Sequence, residues 1–160
     1  MMIRPRLGSM LRSNSDRTGP IWAPPLNGGI LARAARRVGV ARFYERRWIF
    51  DYPTVVERML RKTPPSYPWF RCVTPSWDST PRRPKSALIL QGSTPTAYEG
   101  WLRAVIERLS PGGLEETLVF INAWNKWGEG NHLEPCLKWG RAYLEATRNA
   151  LSAGPWDPGR

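Results

Sequence analysis

The segment 125–134 reads NKWGEGNHLE and gathers residue types that handle hydroxyl-rich ligands. Asn125, Trp127, Glu129, Asn131, His132 and Glu134 offer flat aromatic surface, amides and carboxyl groups in one short run. Tryptophan packs on the apolar face of a pyranose, while amide and carboxyl groups meet its hydroxyls. Gly128 and Gly130 let the backbone turn sharply beside a ligand. The same composition also suits a purely structural loop. His132 is the single histidine, and beside Leu133 it fits loop packing better than the work of a general base. Glu134, ahead of Pro135, is placed either to pair with a basic neighbour or to cap the approach to the next helix.

A second polar cluster lies upstream, where SWDSTPRRPK contains Trp77, Asp78, Arg82 and Arg83. Asp78 can accept a hydrogen bond from a sugar hydroxyl, and the arginines can hold a phosphate or an acidic substituent. The alternative is local. Asp78 then caps a turn through Ser79 and Thr80, and an arginine–carboxylate pair locks the loop.

Both clusters follow apolar runs that read as strands. Trp69, Phe70, Cys72 and Val73 form a short buried strand ending before Pro75, and residues 87–90 form another. Residues 117–124, TLVFINAW, are nearly continuous in apolar character, as expected of a parallel strand buried on both faces, with Trp124 at its end. Helices alternate with these strands. Residues 51–62 carry Pro53 in the first turn and Val55, Val56, Met59 and Leu60 at helical spacing, and Pro64-Pro65 stops them. Thr94 followed by Pro95 is a side-chain cap with proline where its missing N–H is harmless. Tyr98, Trp101, Leu102, Val105, Ile106 and Leu109 then form one apolar stripe, closed by Pro111-Gly112-Gly113. Residues 137–151 read as a last helix, with Trp139, Ala142, Tyr143, Ala146 and Ala150 on one side. Upstream, residues 1–20 read as an irregular basic arm, 21–29 as a strand end entering a loop, and 30–40 as a weak helix or surface loop. Residues 21–152 form the expected domain and 153–160 a tail. This strand–loop–helix rhythm predicts an α/β layer or barrel.

The 160 residues suit one domain, and 41% hydrophobic content supplies a modest core. Lys and Arg number 24 against 13 acidic residues, for a net charge of +11. The excess is scattered, so it predicts a generally basic surface in place of a dedicated nucleic-acid site. Cys72 and Cys136 are the only cysteines and form no C-x-x-C pair. Neither a zinc site, a disulfide framework nor a cofactor motif is therefore read. No apolar run approaches the roughly 18 residues of a membrane helix. The N-terminus lacks the apolar core of a secretory signal. The expectation is a cytoplasmic chain without a membrane span.

The run FINAWNKWGEGNHLEPCLKWGRAYLEA resembles the closing signature of the WbsX glycosyltransferase family, which is related to the glycoside hydrolase family 99 endo-mannosidases. VTPSWDSTPRR and GSTPTAYEGWL resemble the middle section of the same family, and IWAPPLNGG and DYPTVVE resemble earlier pieces. The resemblance covers about residues 21–151 and the later part of a family member. It implies a TIM barrel acting on polysaccharides, in lipopolysaccharide O-antigen or capsule synthesis. A complete barrel needs about 250 residues, so the expected fold is the C-terminal portion of a partial TIM barrel, truncated, with parallel strands and flanking helices. Its open edges would invite a complementary barrel half or self-association.

In the family the loop usually reads N-E-W-x-E-G. In the related mannosidases the first glutamate helps to activate the substrate's 2-hydroxyl as an internal nucleophile, and the second serves as general acid and base. Glu129 matches the second, whereas Lys126 stands in place of the first. An ammonium donates hydrogen bonds and accepts none, so it cannot act as a carboxylate base. Beside Glu129 it also favours the ionised carboxylate, which opposes the acid role. Ser79 replaces an amide in the family's W-D-N-T. The resemblance thus assigns Glu129 as the catalytic residue. Trp77, Asp78, Arg82, Trp124, Asn125, Lys126, Trp127, Asn131, His132 and Glu134 are the substrate-binding set, for a glycan or sugar-nucleotide substrate. A catalytically silent carbohydrate-binding remnant is the second reading. A basic nucleic-acid-binding protein is the third, and it has only the net charge in its favour.

Overall fold

Asp51 organises the first well-formed unit. Its carboxylate accepts hydrogen bonds from the Thr54 backbone N–H (3.0 Å) and hydroxyl (2.6 Å), so strand β1 (Trp48–Asp51) turns directly into helix α1 (Tyr52–Arg61). Pro53 occupies the first turn of α1, as expected from the sequence. The structure is a computed structural model and describes residues 47–67, 69–84, 86–109 and 118–152. The expectations for residues 1–46, for the Pro111-Gly112-Gly113 stop, for Thr117 and for the tail at 153–160 lie outside those residues.

The remaining elements in chain order are β2 (Arg71–Val73), β3 (Trp77–Asp78), β4 (Leu88–Gln91), α2 (Pro95–Ile106), β5 (Val119–Ile121), β6 (Asn125–Lys126), β7 (Asn131–His132) and α3 (Ala142–Ser152). A single 3-10 turn, Trp127–Glu129, separates β6 from β7. β1 pairs in parallel with β4, Phe50 opposite Leu90, and β3 adds to β4 antiparallel. β2 and β5 form a second parallel pair with Cys72 opposite Phe120, while β6 and β7 form a small hairpin. The described residues are therefore mixed α/β, with two parallel strand pairs and flanking helices.

Thr94 caps α2 as its sequence predicts, accepting from the Ala97 N–H at 3.2 Å. The apolar stripe of α2 forms the centre of the core. Tyr98, Trp101, Leu102, Val105 and Ile106 are all buried, together with Phe50, Tyr52 and Val55 on one side and Tyr143, Ala146 and Ala150 on the other. Tyr52 meets Trp101 edge to face, and Tyr98 meets Tyr143 in the same way.

Three element expectations need correction. The strand expected from Trp69 is only Arg71–Val73, with Phe70 exposed before it and Val73 alone buried within it. The last helix begins at Ala142, not near residue 137, because Cys136 and Gly140 exchange backbone hydrogen bonds (2.7 and 3.2 Å) and close the loop 136–140. Helical bonding starts only after that loop, where the Ala142 N–H reaches the Trp139 carbonyl. β5 is shorter than the apolar run and is not buried on both faces. Phe120 is 51% exposed, since among the described residues β5 pairs with β2 alone. Trp124 lies beyond the strand and is exposed.

Candidate functional site

Two loops meet at the ends of β2 and β5. The first, 74–83, leaves β2, and the second, 122–134, leaves β5 and carries the β6–β7 hairpin. Since β2 and β5 are parallel, both loops leave from the same end of the pair. The Asn122 N–H donates to the Val73 carbonyl at 2.9 Å and joins the two exits. The Tyr52 hydroxyl fixes the first loop from beneath by donating to the Thr74 carbonyl at 2.7 Å.

Further contacts lock one loop to the other. The fully buried Asn131 accepts from the Thr74 hydroxyl at 3.0 Å, and the Ser76 hydroxyl donates to the Gly130 carbonyl at 2.5 Å. Gly130 has φ +56° and lies against Asp78, where a β-carbon would come within 3.2–3.3 Å of the Asp78 backbone and Cβ. Glycine is required there both for the left-handed backbone and for the approach. Arg82 crosses Gly128 and donates from Nη1 to Oε1 of Glu129 at 2.7 Å. The Glu129 side chain is only 13% exposed, so this pair is shielded from water on the carboxylate side.

The arginine–carboxylate lock expected for the first loop is present, but its carboxylate is Glu129 of the other loop. Asp78 makes the local turn, accepting from the Thr80 N–H at 2.8 Å. Lys126 does not pair with Glu129. Its ammonium lies 5.1 Å from the centre of the buried Trp77 ring, a cation–π arrangement. Trp127 donates from its indole to Glu134 at 2.6 Å and lies against His132, with ring centroids 3.8 Å apart. His132 thus has the packing role its sequence setting suggested.

Beside this rim lies an open cleft of about 480 Å³. It is lined by Ser76, Trp77, Asp78, Gly130 and His132 of the two loops, by Ile89 and Leu90 of β4 and Gly92, Ser93 and Thr94 after it, and by Cys136, Lys138, Trp139 and Tyr143. Of the residues predicted from sequence, the cleft collects Trp77, Asp78 and His132. Arg82, Lys126, Trp127, Glu129 and Glu134 form the adjoining rim and are not among the cleft-lining residues. Trp124 and Asn125 are exposed, and Asn131 lies buried under the hairpin.

Ser76, Ser93, Cys136, Lys138, Trp139 and Tyr143 were not singled out as site residues. Ser93 had a readable signal, since it follows the C-terminal end of a strand. Trp139 and Tyr143 were read as the apolar face of a helix. Their place at the cleft depends on the loop 136–140, which carries no sequence period. Burial raises the pKa of the Tyr143 phenol, a hydrogen bond with the Ser93 hydroxyl opposes this and Cys136 adds to the rise, so the phenol keeps its proton. Among the described residues no group of three or more His, Cys, Asp or Glu could hold a metal ion, and no helix is long and apolar enough to cross a membrane.

The family profile described as Glycosyltransferase WbsX matches residues 26–147. An uncharacterized protein WxcX from Xanthomonas campestris pv. campestris strain B100 is 39% identical over 108 residues, 67% of this chain and 16% of that relative. Its counterpart in strain ATCC 33913 is 38% identical over the same share of each. The matched stretch is thus about a sixth of the length of these curated relatives. No solved structure matches the chain.

Proposed function

Because the chain belongs to the WbsX glycosyltransferase family, we propose that it carries part of the glycan site of a protein that transfers or hydrolyses glycosyl groups in surface-polysaccharide metabolism. Lipopolysaccharide O-antigen or capsule is the proposed setting, in the cytoplasm, with a glycan or sugar nucleotide as substrate. Residues 21–152 are the proposed later part of a TIM barrel, completed by a complementary barrel portion or by self-association. Glu129 is the proposed acid and base, with Trp77, Asp78, Arg82, Trp124, Asn125, Lys126, Trp127, Asn131, His132 and Glu134 around the sugar.

The observation that carries this reading is the placement of Glu129. It is shielded, held at one oxygen by Arg82, and adjoins a cleft that contains an indole and a carboxylate suited to a sugar ring. A proton transfer needs a positioned carboxyl group, and the Arg82 contact positions this one. Arg82 also favours the carboxylate over the acid, so proton donation requires the substrate to displace or share the guanidinium.

A second reading, a silent carbohydrate-binding protein, has its own support. Lys126 occupies the family's first glutamate position with its ammonium over Trp77, where it cannot accept a proton. The two readings separate in one experiment, in which the chain is supplied with the upstream barrel portion of a WxcX relative and assayed with nitrophenyl glycosides and nucleotide-sugar donors. We expect Lys126→Glu to raise turnover, and Glu129→Gln in that background to lower it about 100-fold or more. Glycan binding without turnover in every variant selects the silent reading.

A further inference from the structure

Among the described residues, the Asn131 Nδ2 and His132 Nδ1 atoms are buried without a hydrogen-bond partner, and the buried Tyr143 hydroxyl has only the Ser93 hydroxyl beside it. These atoms belong to the β6–β7 hairpin and to α3, and His132 and Tyr143 line the cleft directly. Buried polar atoms are almost always satisfied in native proteins, so such a cluster marks the place of a missing partner. Tyr143 is 4% exposed, and its hydroxyl shares the cleft with the Ser93 hydroxyl that follows β4, leaving the remaining hydrogen-bonding capacity of both open to a ligand.

We propose that this cleft is a subsite for one neutral pyranose unit, in which the Tyr143 hydroxyl, His132 and Ser93 hydrogen-bond sugar hydroxyls between the Trp139 and Ile89–Leu90 surfaces. The proposal deepens the glycan reading above and rests on it. Tyrosine and serine hydroxyls each donate and accept, which matches a sugar hydroxyl that does the same. Asp78 and Lys138 both line the cleft and offset each other, so its lining has no net charge that would select an anion over a neutral ring. The volume of about 480 Å³ lies within the usual range for small-ligand sites, about 300–1,000 Å³. Ile89, Leu90 and Trp139 together with Tyr143, Ser93 and Asp78 give the mixed apolar and polar lining that a sugar ring requires.

The test is ligand-observed saturation-transfer NMR on the full chain with methyl α-mannoside, methyl α-glucoside and methyl β-galactoside, with inorganic phosphate and glycerol as controls. At least one glycoside should bind, and Tyr143→Phe should weaken it about fivefold, the effect of one net hydrogen bond. The melting temperature of Tyr143→Phe should change little, because the hydroxyl removed has only the Ser93 hydroxyl beside it in the fold. Ser93→Ala should weaken the same glycoside and serves as an independent variant. No binding by any of the three glycosides, equal binding by Tyr143→Phe, or binding of phosphate in their place overturns the subsite. Glu129-dependent turnover together with equal binding by Tyr143→Phe removes the subsite and keeps the enzyme. Weakened binding without turnover keeps the subsite and removes the enzyme.

Discussion

Gly130 shows how one residue can set the distance between two loops. Its φ of +56° is a region that L side chains occupy at a cost of about 1–2 kcal/mol. An added β-carbon would also press on the Asp78 backbone, which has little room to yield. Gly130→Ala is therefore expected to destabilise the protein by at least that amount in urea titration, and to push Asp78 away from the hairpin. Little of this was readable in advance. The sequence shows a glycine beside a candidate site, and it supports the inference of a sharp turn, but the contact with Asp78 spans 52 residues of chain and has no spacing signal. The same holds for Arg82 and Glu129. A locking arginine–carboxylate pair was expected within the first loop, and the carboxylate proves to be Glu129 of the second, because proximity across β2 and β5 depends on strand pairing and not on sequence distance. Lys126 was likewise expected beside Glu129, and the face of Trp77 drew its ammonium away.

The helices each contribute a buried tyrosine to one cluster: Tyr52 from α1, Tyr98 from α2 and Tyr143 from α3. Burial raises the pKa of all three. Tyr98 is pushed up from 10.0 to about 12 by burial, against the Thr147 hydrogen bond and with help from Tyr143. Tyr52 is raised by burial, and then by Tyr143 and Tyr98. The unfolded chain releases these phenolic protons near pH 10, before the folded chain does, so above that point the unfolded state binds fewer protons. The stabilisation is complete below pH 10 and is lost as the pH rises through about 12. Denaturation midpoints followed from pH 8 to 12 should fall steeply above 10, and Tyr98→Phe should flatten part of that fall. The helices that hold these tyrosines were legible because capping and 3.6-residue periodicity are local: Asp51 to Lys62 and Thr94 onward were placed nearly to the residue. The hairpin strands β6 and β7 were not. Two-residue strands carry no alternation, and their pairing arises from the turn at Trp127–Glu129.

For the molecule as a whole, Trp101 is the common contact. It lies 4% exposed on α2, meets Tyr52 of α1, and belongs to the same cluster as α3. Trp101→Ala is expected to cost about 3–5 kcal/mol, a large share of the roughly 5–15 kcal/mol that holds a domain folded. Circular dichroism during urea titration should show most of the cooperative transition lost. The α/β alternation was visible in the sequence, because its apolar runs and stripes reflect burial, whereas the sheet order β1–β4–β3 beside β2–β5 was not. The crossed bonds between the two loops, Thr74 to Asn131, Ser76 to Gly130 and Arg82 to Glu129, have a thermodynamic consequence. Their shape is settled when the chain folds, so a sugar bound as proposed would meet loops already tied together, and little chain entropy would be forfeited on its arrival. Recognition of that kind resembles a key entering a rigid lock more than a hand closing.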